Sequence, residues 1–195
     1  MARAGCQKKK LNQKSSMQNK LKIPVILDTD IGADIDDTWA LALMLRSPEL
    51  DPKLIVSATG DTVYRATIIA KLLGIAGKTS IPLALGIRQN EEEARKRQKL
   101  WIKDYELNAY PGTVYKDGID AMIKTIMISE QPITLICIGP LTNIAAALER
   151  EPRIAKKCRF VGMQGSIYKQ RDGKAGAIAE YNVSYDIIAS QKTFS

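Results

Sequence analysis

From position 23 onward the chain alternates short apolar runs with apolar residues at helical spacing. Ile23-Pro24-Val25-Ile26-Leu27 reads as a buried strand. Further strands are Leu54-Ile55-Val56, the stretch 81–85, Ile133-Thr134-Leu135-Ile136-Cys137-Ile138 and Phe160-Val161-Gly162-Met163. A helix is expected over about 37–45, with Trp39, Leu41, Ala42 and Leu45 inward and Ser47-Pro48 as its stop. A second opens at Asp61 or Thr62 and runs to about 76, and a third covers 118–129. A fourth follows the Gly139-Pro140 turn to about 150, carrying Leu141, Ile144, Ala145 and Leu148. The stretch 88–118 is less regular, and its charged part, 91–105, reads as a solvated helix or a flap. A polar, Gly-rich loop at 164–176 leads to Glu180-Tyr181-Asn182, and a last helix opens near Asp186. Strands alternating with helices predict a Rossmann-like, mainly parallel α/β sheet with right-handed crossovers and helices on both faces. Residues 23–195 read as one domain behind a tail at 1–22.

Charge changes this picture little once it is located. The net charge is +8, but Arg3 and six lysines up to Lys22 supply +7 with no acid, leaving about +1 (8 − 7) for 23–195. The body therefore offers no broad footprint for nucleic acid. The basic, polar tail is expected to be disordered. A transit peptide, or a natural start at Met17, are the other readings of it. No apolar run reaches the eighteen or so residues that a membrane span needs. Cys6, Cys137 and Cys158 form no Cys-x-x-Cys pair, which argues against a disulfide framework or thiolate zinc and for a cytoplasmic setting. Histidine is absent, so Ser-His-Asp and Cys-His catalysis and His-ligated zinc are excluded within these residues. Acid–base work falls to carboxylates, Lys, Tyr, Cys or a metal-bound water.

The chemistry concentrates after the first strand. Five of the ten positions from Asp28 to Asp37 are Asp. Carboxylates this close repel one another, and a hard cation on oxygen ligands relieves them most simply. The plainer alternative is an acidic loop leading into an Asp-capped helix. Other strand ends add Asp61, the Ile138 carbonyl before Gly139, Met163, Glu180 and Asn182, all expected along the carboxyl edge of the sheet. Gly77-Lys78-Thr79 is no phosphate loop, because the required leading Gly is Leu72. An EF-hand register starting at Asp28 or Asp30 would need an acid at Trp39 or Leu41. A strand ending in Asp-x-Asp also suggests haloacid-dehalogenase-like phosphatases, with Asp28 as nucleophile, but Gly32 stands where that family wants Thr or Val.

Four ordered stretches resemble the inosine–uridine-preferring nucleoside hydrolases. They are Asp28-Thr29-Asp30-Ile31-Gly32-Ala33-Asp34-Ile35-Asp36-Asp37-Thr38-Trp39-Ala40-Leu41, then Ala58-Thr59-Gly60-Asp61-Thr62, then Gly139-Pro140-Leu141-Thr142-Asn143-Ile144-Ala145, and Ala179-Glu180-Tyr181-Asn182 with Asp186. The resemblance implies Ca²⁺ held by Asp30, Asp37 and the Ile138 carbonyl, with Asp30 as general base toward the attacking water. It implies a ribose site of Asp36, Asp61, Met163, Glu180 and Asn182, and leaves Asp28 and Asp34 as turn or cap residues. The substrate is expected to be a small ribonucleoside, cleaved to nucleobase and ribose, with a homo-oligomer as one expected state. The family's domain continues past residue 195 with a further Asp ligand and, in purine-cleaving members, a His. Its usual Asn before the Ala-Glu motif is not evident, Lys174 standing near that place. A truncated, marginally soluble chain with exposed apolar surface is therefore expected, and a catalytically impaired form that keeps the fold is the alternative function.

Overall fold

Alternation along the first strand decides which residue faces which layer. In the computed structural model, which describes residues 21–89, 95–170 and 172–195, β1 (Ile23–Thr29) turns Val25 and Leu27 to one face and Ile26 to the other. The expectations for the tail up to residue 20, for Cys6, and for 90–94 fall outside the described residues. The remaining strands are β2 (Leu50–Ser57), β3 (Leu83–Leu85), β4 (Val114–Tyr115), β5 (Ile133–Cys137) and β6 (Cys158–Gly162). Among the described residues they form one sheet in the order β4-β3-β2-β1-β5-β6, every pairing parallel. The chain thus builds outward from β1 to β4, then returns to add β5 and β6 on β1's other side. That reversal opens a crevice beyond the carboxyl ends of β1 and β5, where α/β sheets of this kind take their ligands.

Helices α1 (Asp36–Arg46) and α2 (Thr62–Ile75) pack on Val25, Leu27, Ile55 and Leu83. Helices α3 (Gly118–Ile128) and α4 (Thr142–Arg150) cover Ile26, Leu54, Val56 and Leu135 on the opposite face, joined by Ala189. Ala189 belongs to α6 (Ile187–Phe194), which follows the short α5 (Tyr181–Tyr185). Asp side chains cap several of these helices: Asp61 accepts from Tyr64 N, Asp117 from Ile119 and Asp120 N, and Asp186 from Ala189 N. Pro52 sits in β2 at a shift of register, pairing with Val25 just before Leu54 takes Ile26, so its missing N–H falls at an irregular point of the ladder.

Two expectations need correction. Trp39 is not inward; it is 69 % exposed, and Asp37, Leu41 and Met44 form the buried stripe of α1. Asp37 is drawn inward by Thr29, and Trp39 lies about 200° around the helix from it. The charged stretch is not an α-helix over its described part, 95–105, but turns and a 3₁₀ segment, Lys99–Ile102. It is docked rather than free. Ile102, Tyr105 and Leu107 pack on the α2 face, Gln98 N donates to the Tyr64 hydroxyl at 2.9 Å, and Lys71 donates to the Trp101 carbonyl. At the other side, Phe160, Val161, Ile187, Ile188 and Phe194 are exposed around β6 and α6. Among the described residues no helix is long and apolar enough to cross a membrane.

Ile26 is fully buried in the central strand whereas Leu43 is 70 % exposed. Ile26→Ala is expected to cost about 2–5 kcal/mol of unfolding free energy in urea titration, and Leu43→Ala less than about 0.5 kcal/mol.

Candidate active site

The acidic stretch is drawn under the sheet edge by groups that no motif spells out. Arg65, buried on α2, donates Nε to the Thr59 carbonyl at 3.0 Å and Nη1 to the carbonyls of Ile31, at 2.9 Å, and Asp30. Gly32 turns the chain at φ +113°, and a Cβ there would stand 2.7 Å from Ile68 and Tyr64. The Tyr64 hydroxyl closes this turn by donating to the Gly32 carbonyl at 3.0 Å. Across the crevice, Gly139 lies so close that a Cβ would sit 2.9 Å from Asp30 Oδ1. Asn143, fully buried at the start of α4, ties three strand ends together. Its amide donates to Asp28 Oδ2 at 2.8 Å and the Ser57 carbonyl at 3.3 Å, and its oxygen accepts from Ile87 N at 2.9 Å.

Seven of the eight residues expected at the site, Asp30, Asp36, Asp37, Ile138, Met163, Glu180 and Asn182, border one cavity of about 480 Å³. Asn182 is buried and donates to the carbonyls of Ile138 (3.1 Å) and Met163 (2.9 Å), which fixes the ends of β5 and β6 beside each other. Glu180 caps α5, accepting from Asn182 N, Val183 N and Gly165 N. Asp61 is the exception. It lies in a neighbouring cleft, capping α2 and accepting from Lys96 at 2.8 Å. Asp34 also borders the cavity, exposed and paired with Arg97. Asp28 is neither a turn nor a cap residue: it lies within β1, fully buried. That burial also removes it as an exposed phosphatase nucleophile. Lys174 pairs with Asp172 at 2.7 Å in the outer loop.

Electrostatics set the inner carboxylates apart. Burial, with the charges of Asp30 and Asp37 adding to it and the Asn143 hydrogen bond opposing, pushes Asp28 up to about 7. Burial and then the Asp30 charge push Asp37 up to about 7, against the Thr29 hydrogen bond. Asp30 is raised by burial and held back chiefly by the Arg65 charge. Asp61 moves the other way: burial raises it, but the Lys96 hydrogen bond and the α2 backbone leave it lowered.

Asp28 Oδ1 is buried with no hydrogen-bond partner among the described residues. Together with the carbonyl of Ile138, these acids fit a hard cation in kind. They fall short in number: among the described residues no three His, Cys, Asp or Glu side chains converge as a metal centre. The reading by motif missed Arg65, Arg95, Arg97 and Tyr181. A lone Arg within the apolar run of α2 was the one available signal for Arg65.

A sequence profile described as inosine-uridine preferring nucleoside hydrolase matches residues 25–195. The pyrimidine-specific ribonucleoside hydrolase RihA of Enterobacter sp. strain 638 is 31 % identical over 188 residues, covering 89 % of this chain and 57 % of its own length. The non-specific ribonucleoside hydrolase RihC of Klebsiella pneumoniae is 33 % identical over 182 residues, covering 89 % and 58 %. The chain therefore spans a little over half the length of these relatives. A plant nucleoside hydrolase, PpNRh1, superposes with a TM-score of 0.68 at 28 % identity, covering 88 % of this chain and 56 % of that one.

The raised carboxylates give a stability signature. A carboxylate whose folded pKa exceeds its unfolded value binds more protons when folded, so stability is lost as pH rises through that interval. There is no histidine to titrate, and Asp61 and Asp117, held low, finish below it. In chelator, the thermal midpoint is expected to fall between about pH 5 and pH 7.5, and Asp28→Asn to flatten that fall. A midpoint that climbs across the range in both proteins would contradict the assignment.

Proposed function

Because the chain belongs to the inosine-uridine preferring nucleoside hydrolase family, we propose that it hydrolyses the N-glycosidic bond of small ribonucleosides, releasing nucleobase and ribose. The observation that carries this reading is the convergence of seven residues from separate stretches on one acidic cavity at the β1–β5 crevice. Breaking the bond puts positive charge on the sugar, and the carboxylates of Asp30, Asp36, Asp37 and Glu180 favour that charge. Asp30 takes one proton of the attacking water while the water's oxygen bonds to C1′ and the C1′–N bond breaks, its electron pair leaving with the nucleobase, which takes up a proton from solvent. Asp36, Glu180, Asn182 and Met163 surround the sugar. Asp61 receives the role of helix cap rather than a ribose contact.

Asp30, Asp37 and the carbonyl of Ile138 would hold Ca²⁺ in this reading. Bound there, the ion supplies a fixed positive charge that orients water and sugar hydroxyls and eases loss of the water's proton. The donor chemistry supports it: carboxylates raised first by their burial and then by one another's charge, and an Asp28 oxygen behind them with no partner among the described residues. A cytoplasmic setting belongs to the same reading, supported by Cys137 and Cys158 as free thiols, Cys137 fully buried.

A reducing-sugar assay of the 195-residue chain with inosine and with uridine, in calcium, tests the proposal. Ribose release is expected from at least one substrate, and Asp30→Asn should lower it by about 10²–10⁴-fold, the usual worth of a general base. Release equal in the wild type and Asp30→Asn, or absent from both, would overturn it.

A further inference from the structure

One group in the cavity works against the chemistry just described. Arg95 borders it, half-buried, its guanidinium over the Tyr181 ring, 4.7 Å from the ring centre. Among the described residues no carboxylate pairs with it, although its charge is felt by Asp30. Arg97, two residues on, borders the same cavity and pairs, among the described residues, with the exposed Asp34. Fixed positive charge beside a sugar that itself becomes positive opposes the transition state, unless the ligand brings an anion to neutralise it. Arg is also the side chain whose planar fork matches a phosphate, and stacking on an aromatic ring holds that fork in place.

We propose that the cavity takes a phosphorylated ribose, with Arg95 and Arg97 binding the phosphate. This rests on the ribonucleoside reading above and extends its substrate class to nucleoside 5′-monophosphates. The choice of the 5′ position follows from the sugar. C1′ carries the base, and the secondary hydroxyls meet the acidic floor of Asp30, Asp36 and Asp37. The 5′ oxygen is what remains to reach the arginines. The balance of the reaction is unchanged: water adds to C1′, the C1′–N bond breaks, the base leaves with a proton, and the phosphate ester passes through intact into ribose 5-phosphate.

Calorimetric titration of the full chain in calcium-containing buffer, with ribose, ribose 5-phosphate and inorganic phosphate as separate probes, tests this without any turnover. Ribose 5-phosphate is expected to bind at least about tenfold more tightly than ribose, the worth of one charge-assisted hydrogen bond. Arg95→Gln should bring the ratio of the two affinities to within about threefold, Arg97→Ala should lower it in part, and Lys53→Ala, in the first half of β2 and outside the cavity lining, should leave it as it is. Ribose binding with no advantage for its phosphate overturns this inference and leaves the ribonucleoside reading standing; no binding of either sugar overturns both. Inorganic phosphate binding as tightly as ribose 5-phosphate, with the same loss in Arg95→Gln, would mark an anion site detached from the sugar and overturn the inference as well.

Discussion

Backbone carbonyls at a sheet edge repel one another and the carboxylates beside them, and here the Arg65 guanidinium answers that repulsion. It bonds the carbonyls of Asp30, Ile31 and Thr59, fastening the loop after β1 to the loop after β2. Each hydrogen bond from a charged donor is worth about 1.5–3 kcal/mol, and removing the donor would leave buried carbonyls unsatisfied. The same charge offsets part of the cost of burying Asp30 and Asp37. Thr59 is held at φ +57°, a conformation that non-glycine residues seldom adopt, and its carbonyl is one of those bound by Arg65. The acidic cluster is thus positioned from behind, by a helix that contributes no acid of its own to the cavity.

Two amides extend the same logic along the edge. Asn143 joins β1, β2 and the segment after β3, and Asn182 joins β5 to β6. Both are buried and both spend their donors on strand-end acceptors, so the strand ends that floor the cavity are tied to one another. Arg95 stacks on Tyr181 with Arg97 bordering the same cavity, and it is there that ligand choice is expected to be made.

The order of strands and helices was legible because period and turn residues agreed along the chain, as at 133–138 and Gly139-Pro140. The acidic floor was legible because four short motifs named its residues. What the residue string did not disclose is which partner each polar group takes. Arg65 bonds carbonyls, and carbonyls leave no mark in a sequence. Asp28 looked like turn chemistry, yet it is the inward residue of a strand paired on both sides. Asp61 matched a ligand-binding pattern while also filling the cap position of α2, and beside Lys96 the cap prevails. Trp39 read as core by type, but the inward pull on Asp37 decides the face of α1. Arg95 and Tyr181 lie in contact although 86 positions separate them (181 − 95), beyond the reach of any local pattern.

Calcium binding to the unmodified chain bears most directly on the idea that this edge is a cation-assisted sugar site. Two carboxylates and one carbonyl provide few of the six to eight oxygens the ion prefers, which places the expected dissociation constant at about 10⁻⁴–10⁻³ M. Calorimetry should find that affinity in the wild type and in Asp51→Asn, and lose it in Asp37→Asn. An identical titration for all three proteins, or no calcium binding by any, would contradict the account.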